Sequence, residues 1–196
     1  MSEIYELLRF SADQSHKALK FLLSTEAIRF MSDLSEMLAK LFALKGKVLI
    51  AGNGGSLCDA AHFAEELTGR FRNDRPALAA IALSEPGHMS CVANDFGYES
   101  VFSRSIEALG SRGDVFIALS TSGNSSNLTR AVEQARLSGM QVVTLLGKDG
   151  GELRGQADLE LVVPGQTTSD RIQEVHMAAL HMVVEAVEAR LFAGAR

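Results

Sequence analysis

A chain of 196 residues suits one domain with a full-sized hydrophobic core. Hydrophobic residues make up 46% and charged residues 22%, ordinary for a soluble globular protein, and the net charge of −5 comes with no basic block, which argues against a nucleic-acid partner. No window approaches the ~20 uninterrupted apolar residues of a membrane span, and the N-terminus, acidic early and without an apolar h-region, is not that of a secretory signal. The two cysteines, Cys58 and Cys91, form no CxxC and suggest a reducing compartment rather than a disulfide scaffold. Both read as small buried hydrophobes. The expectation is a cytoplasmic protein.

Residues 2–24 and 26–45 carry apolar residues at three- and four-residue spacings. The first set is Ile4, Leu7, Leu8, Leu19, Leu22 and Leu23; the second is Ile28, Met31, Leu34, Leu38 and Leu41. The spacing predicts two amphipathic helices. Placed ahead of the first strand, they need another surface to cover, such as a neighbouring subunit. Five short apolar runs follow, at 47–52, 78–84, 114–120, 141–147 and 159–165. Four are continuous, which suits strands buried on both faces of a parallel sheet, and the last alternates as an edge strand would. Helical patterns over 56–70, about 86–107, 124–138, a short stretch near 150 and 168–192 separate or follow them. Alternating strands and helices predict a doubly wound α/β sandwich of three layers, with a five-stranded parallel sheet and an N-terminal helical extension.

Ligands of such folds bind beyond the carboxyl ends of the strands, so the loops after the runs carry the chemistry. "AGNGGS" follows the first run. Gly52, Gly54 and Gly55 let the backbone approach a ligand, and the helix start supplies free N–H groups. The segment is neither G-x-G-x-x-G nor a Walker A loop, and as a lone motif it serves equally as a packing turn. "STSGNSSN" (120–127) follows the third run. Its Ser120, Thr121, Ser122 and Ser125 set four hydroxyls around one glycine, more than a single helix cap requires. Two such loops at one sheet end, with no ribose-binding acid placed as in a dinucleotide fold, point to a small phosphorylated metabolite.

Within "GNGGSLCDAAHFAEELTGR" (52–70), His62 and Glu66 lie four apart, about 6 Å along one helical face. They can chelate a divalent ion, or form an ordinary surface pair. "SDRIQEVHMAALHM" (169–182) offers Gln173, His176 and His181. Gln173 and His181 are eight residues apart, about 12 Å along a straight helix, so sharing one ion strains their reach unless two chains contribute. A lone His in "MAALHMVV" also reads as a packed core residue. Asn94 and Asp95 in "ANDFG" are candidate hydroxyl-binding groups. Arg70, Arg72 and Arg75 form a basic loop, either solvated or with one arginine facing a phosphate.

"GNGGSLCDAAHFAEELTGR", "NDFG", "STSGNS", "GKDGG" and "DRIQEVH", in this order and spacing, closely resemble the sedoheptulose 7-phosphate (phosphoheptose) isomerases of the sugar isomerase (SIS) domain family, over nearly the whole chain. The resemblance implies conversion of sedoheptulose 7-phosphate to D-glycero-D-manno-heptose 7-phosphate, the first step toward ADP-heptose for the lipopolysaccharide core. It implies a homotetramer with active sites at subunit interfaces and one Zn²⁺ per subunit. By the same resemblance Ser56, Ser120, Thr121, Ser122 and Ser125 hold the phosphate, while Asn53, Gly54, Gly55, Asn94 and Asp95 line the sugar, with Glu66 and Gln173 also touching substrate. His62, Glu66, Gln173 and His181 ligate the metal, and Glu66 and His181 are the acid/base pair. Residues 164–168, "PGQTT", match the family least. Rival readings are a non-catalytic SIS protein binding a replication initiator, a sugar-phosphate sensor, or an isomerase of shorter sugar phosphates. Glu66 favours the enzyme over the first, because the initiator-binding relatives lack that acid.

Overall fold

The computed structural model describes residues 2–165 and 168–192. It opens with α1 (Glu3–Leu19), capped by the Ser2 hydroxyl, and a 3-10 turn leads to α2 (Thr25–Ala43), capped by Ser24. The strands are β1 (Val48–Gly52), β2 (Ala80–Ala82), β3 (Val115–Ser120), β4 (Gln141–Gly147) and β5 (Leu159–Val163). They form one sheet in the order β2-β1-β3-β4-β5, with every pairing parallel. The helices α3 (Gly55–Thr68), α4 (Pro86–Phe96), α5 (Val101–Leu109), α6 (Ser126–Leu137) and α7 (Ser169–Phe192) cover its two faces.

Side-chain alternation along the strands builds two cores. Val48, Ile50, Val115, Ile117, Val143 and Leu145 pack under α2, α3 and α7. Leu49, Ala51, Phe116, Ala118, Val142 and Leu146 pack under α4, α5 and α6. Both faces are sealed, which is why the central strands read as unbroken apolar runs. The alternating last run, β5, is an edge, as expected. β2 is the other edge and only three residues long.

Two expectations change. The pattern over 86–107 is not one helix: Gly97, at φ +87°, ends α4, and a 3-10 turn (Tyr98–Ser100) restarts the chain as α5. The two N-terminal helices also have different roles. α2 belongs to the core of its own chain, with Leu34 and Leu38 fully buried against α7 and the sheet. α1 touches α7 but leaves Ile4, Leu7, Leu8 and Phe10 each at least 60% exposed. Among the described residues, no helix is long and apolar enough to cross a membrane.

β1 connects outward to β2, while β3 continues in the opposite direction to β4. The carboxyl ends of β1 and β3 therefore flank the switch point, where a doubly wound sheet leaves its crevice.

Candidate active site

The loops after β1 and β3 meet at that crevice around a cavity of about 310 Å³. Asn53, Gly54, Gly55 and Ser56 form one wall, and Ser120, Thr121, Ser122 and Ser125 another. Ser169 and Gln173, from the first two turns of α7, close it. The turn geometry explains the glycine in the serine loop. Gly123 has φ +69°, and a Cβ there would fall 1.8 Å from the Gly150 carbonyl oxygen. Ser120 Oγ accepts the Gly123 N–H at 2.9 Å, fixing the tight turn from inside. Ser125 is the N-cap of α6 by position, yet its hydroxyl makes no capping bond. Capping therefore does not account for these hydroxyls. Two helix N-termini, of α3 and α6, supply N–H groups and positive potential to the same crevice. Hydroxyls and helix N–H groups gathered in this way have the chemistry that suits a phosphate monoester.

α3 and α7 leave the cavity side by side and in the same direction. Near the cavity, Gln173 Nε2 lies 3.5 Å from Ser56 Oγ, and its amide fills the space beside Gly55, where a Cβ would fall 2.7 Å from it. Farther along, His62, Glu66 and His181 converge. His62 Nε2 and His181 Nε2 each lie 3.3 Å from Glu66 Oε1, and the two imidazoles meet edge to face with centroids 5.1 Å apart. Phe71 stacks on His181 at 5.9 Å. The carboxylate is buried, whereas the imidazoles are partly open to solvent. Burial raises the Glu66 carboxyl above its usual range, and the two imidazoles pull it partly back. Among the described residues Glu66 Oε2 is buried without a hydrogen-bond partner, an orphaned acceptor that a cation would satisfy. One ligand atom from each of the three residues lies within 4.8 Å of the others. Two nitrogens and a carboxylate so placed fit a divalent metal.

His62, Glu66 and His181 thus meet within a single chain, so a second chain is not needed to join them. Gln173 reaches the cavity wall two turns earlier on α7, between the serines and the His–Glu cluster. Asn94 and Asp95 are exposed at the end of α4 and lie outside the cavity wall of one chain, with Asn94 Nδ2 donating to Asp95 Oδ1 at 2.7 Å. Gln166 and Thr167 of the "PGQTT" segment lie outside the described residues.

His176, rather than His181, is the core histidine. It is wholly buried, and its Nε2–H donates to the Leu146 carbonyl at 3.0 Å. The expectation for the cysteines is overturned, since both are exposed. α3 buries Ser56, Ala60, Phe63, Ala64 and Leu67, and position 58 falls off that stripe. α4 buries only Val92, leaving Cys91 outside.

Arg70 and Arg72 are exposed and pair with Asp74 and Glu185, but Arg75 is neither solvated nor turned toward a phosphate. Its guanidinium is 2% exposed and bonds Glu188 at 2.9 Å and the Leu67 carbonyl at 2.7 Å, with the Glu66 carbonyl as a further acceptor. It caps the end of α3 and ties it to α7, just beyond Glu66 and His181. In the sequence Ser169 is only the first residue of "SDRIQEVHMAALHM", and Asn127 one polar residue of the "STSGNSSN" loop. Neither has a spacing that marks it as part of a site.

The SIS domain family model matches residues 12–147. A phosphoheptose isomerase from Edwardsiella ictaluri is 52% identical over 184 residues, spanning 93% of this chain and 95% of its own. One from Fusobacterium nucleatum is 53% identical, spanning 88% and 89%. Among solved structures, phosphoheptose isomerase from Neisseria gonorrhoeae superposes with a TM-score of 0.85 at 34% identity, covering 95% of this chain and 99% of that one. The Francisella tularensis enzyme gives 0.87 at 30%, covering 95% and 98%. With a serine-lined cavity and a buried carboxylate between two imidazoles on the helices that leave it, this chain belongs to the SIS domain family and, within it, to the phosphoheptose isomerases.

Proposed function

We propose that this protein interconverts sedoheptulose 7-phosphate and D-glycero-D-manno-heptose 7-phosphate, the step that opens ADP-heptose synthesis for the lipopolysaccharide core. The observation that carries the reading is the shared pair of helices. α3 and α7 begin at the hydroxyl-lined cavity and bring Glu66 and His181 together farther along. A sugar phosphate held by its ester in the cavity extends its carbonyl end toward that pair.

An aldose–ketose isomerase moves one proton between adjacent carbons and one between their oxygens. Glu66, a stronger base than an exposed carboxylate because it is buried, takes the proton from C1 of the ketose. His181 gives a proton to O2, producing the enediol. His181 then takes the proton from O1, and Glu66, after its acid proton has exchanged with solvent, protonates C2, so each group ends as it began. Ser120, Thr121, Ser122, Ser125 and Ser56 grip the phosphate, and binding energy at that unreacting end fixes C1 and C2 in place. Asn53, Gly54 and Gly55 line the approach beside Gln173; Asn94 and Asp95 contribute sugar contacts from the adjoining segment. His62, Glu66 and His181, with Gln173 turning from the wall, would hold Zn²⁺, the usual ion for mixed nitrogen and oxygen ligands. When bound, the metal supplies Lewis-acid polarisation of the substrate's oxygens.

A homotetramer is the assembly this reading calls for. The exposed apolar face of α1, with Ile4, Leu7, Leu8 and Phe10, supports burial against another copy. Cytoplasmic residence accords with the two free thiols. The test is direct turnover of sedoheptulose 7-phosphate by the purified protein. Product should form, and Ser122→Ala should raise KM with little change in kcat. An intact fold without turnover would remove the proposal.

A further inference from the structure

We infer that Asn127 is a positioning residue for the substrate cavity, acting through Asn53. Asn127 lies in the first turn of α6 and is only 2% exposed. Asn53, 74 positions earlier, lies in the loop between β1 and α3 and lines the cavity. Their side-chain amides exchange two hydrogen bonds. Asn53 Nδ2 donates to Asn127 Oδ1 at 3.0 Å, and Asn127 Nδ2 donates to Asn53 Oδ1 at 2.9 Å. Tyr98, in the turn after Gly97, adds a third bond from its hydroxyl to Asn53 Oδ1 at 3.1 Å.

A reciprocal amide pair dictates orientation as well as place. Turning either amide over sets donor against donor and acceptor against acceptor, so each residue fixes which edge the other presents. The Asn53 carbonyl oxygen is saturated by two donors, and one of its two N–H bonds is used within the pair. The remaining N–H is the group Asn53 has to offer a ligand in the cavity it lines. The pair also staples the glycine loop after β1 to the serine loop after β3, the two walls that meet at the switch point. Asn127 lines no part of the cavity itself, so its influence on a substrate passes through Asn53.

The kinetic readout rests on the isomerase reading; the structural readout does not. Without Asn127 only the Tyr98 hydroxyl still holds Asn53, and the substrate must complete its ordering, at a cost of up to roughly 0.5–1.5 kcal/mol for one side chain, or about two- to tenfold in KM. Asn127→Ala should raise KM for sedoheptulose 7-phosphate by about that factor while kcat changes less. Because Asn127 acts through Asn53, the Asn53→Ala/Asn127→Ala double variant should have the KM of Asn53→Ala alone. A crystal structure of Asn127→Ala should show the Asn53 amide turned from its original orientation. Should the alanine variant not fold, Asn127→Leu, which keeps a similar volume and removes both bonds, serves for the same measurements. Unchanged KM, additive effects in the double variant, or an Asn53 that keeps its orientation without Asn127 would each overturn the inference. A wild-type protein without turnover would instead sink the isomerase reading, and the crystal structure alone would still decide the role of Asn127.

Discussion

Replacing His176 with Gln should remove an acid-sensitive share of this protein's stability. The ring is fully buried; Nε2–H donates to the Leu146 carbonyl, and among the described residues Nδ1 has no hydrogen-bond partner. Protonation would put a charge on a ring with nothing to receive the second N–H. Burial accordingly depresses its pKa from the ordinary 6.5 to about 4, against the smaller opposing effect of the Leu146 bond. In the unfolded chain the same ring takes up its proton near 6.5. Between those two values the unfolded state binds more protons than the folded one, so stability falls as the pH drops. The contribution is complete above about pH 6.5 and gone below about pH 4. At 1.36 kcal/mol per pKa unit it amounts to about 3 kcal/mol. Urea unfolding from pH 7.5 to 4, with a chelator present and protein concentration fixed, measures it. The stability difference between wild type and His176→Gln should shrink by about 3 kcal/mol over that range. Parallel curves for the two proteins would refute the reasoning.

Arg75→Ala strands Glu188 as a buried, unpaired carboxylate and uncaps α3, and should cost about 3–5 kcal/mol. A thermal scan should show the midpoint falling by roughly 6–20 °C, whereas a solvated arginine would leave it unmoved. Gly123→Ala forces a Cβ against the Gly150 carbonyl at a left-handed φ, and should weaken competitive inhibition by inorganic phosphate at least tenfold in a titration of initial rates. Unchanged inhibition would mean that the serine turn does not hold the anion. Leu8→Asp on the open face of α1 should shift the assembly to smaller species by sedimentation velocity, while a monomeric wild type would contradict the assembly proposed.

The sheet was legible because a strand covered on both faces is apolar along its length, as positions 48–51 and 115–119 are. The two loops that wall the cavity were legible because glycines and hydroxyls crowd at strand ends, where a core has no use for them. Convergence was harder to read. Glu66 and His181 are 115 residues apart, and their meeting depends on α3 and α7 running in the same direction from one cavity, a property of packing that no local spacing encodes. Residue type also failed to separate His176 from His181. They differ because one ring lies under the sheet and the other at a half-open edge. Arg75 in a run of arginines resembles its exposed neighbours until its carbonyl and carboxylate partners are seen. Asn127 resembles one more capping residue until its amide is found against Asn53. The two exposed cysteines mislead for the opposite reason, since a small thiol is tolerated on an outer helix face as readily as in a core.

The most direct test of a Glu66–His181 proton couple is isomerisation in D₂O followed by NMR of the heptose 7-phosphate formed. A proton that passes through Glu66 exchanges with solvent, so the wild-type product should carry deuterium at C2. Glu66→Gln should abolish both turnover and label while leaving the fold intact. Product formed by Glu66→Gln at a rate near that of wild type, or wild-type product that retains the original hydrogen in full, would contradict the account.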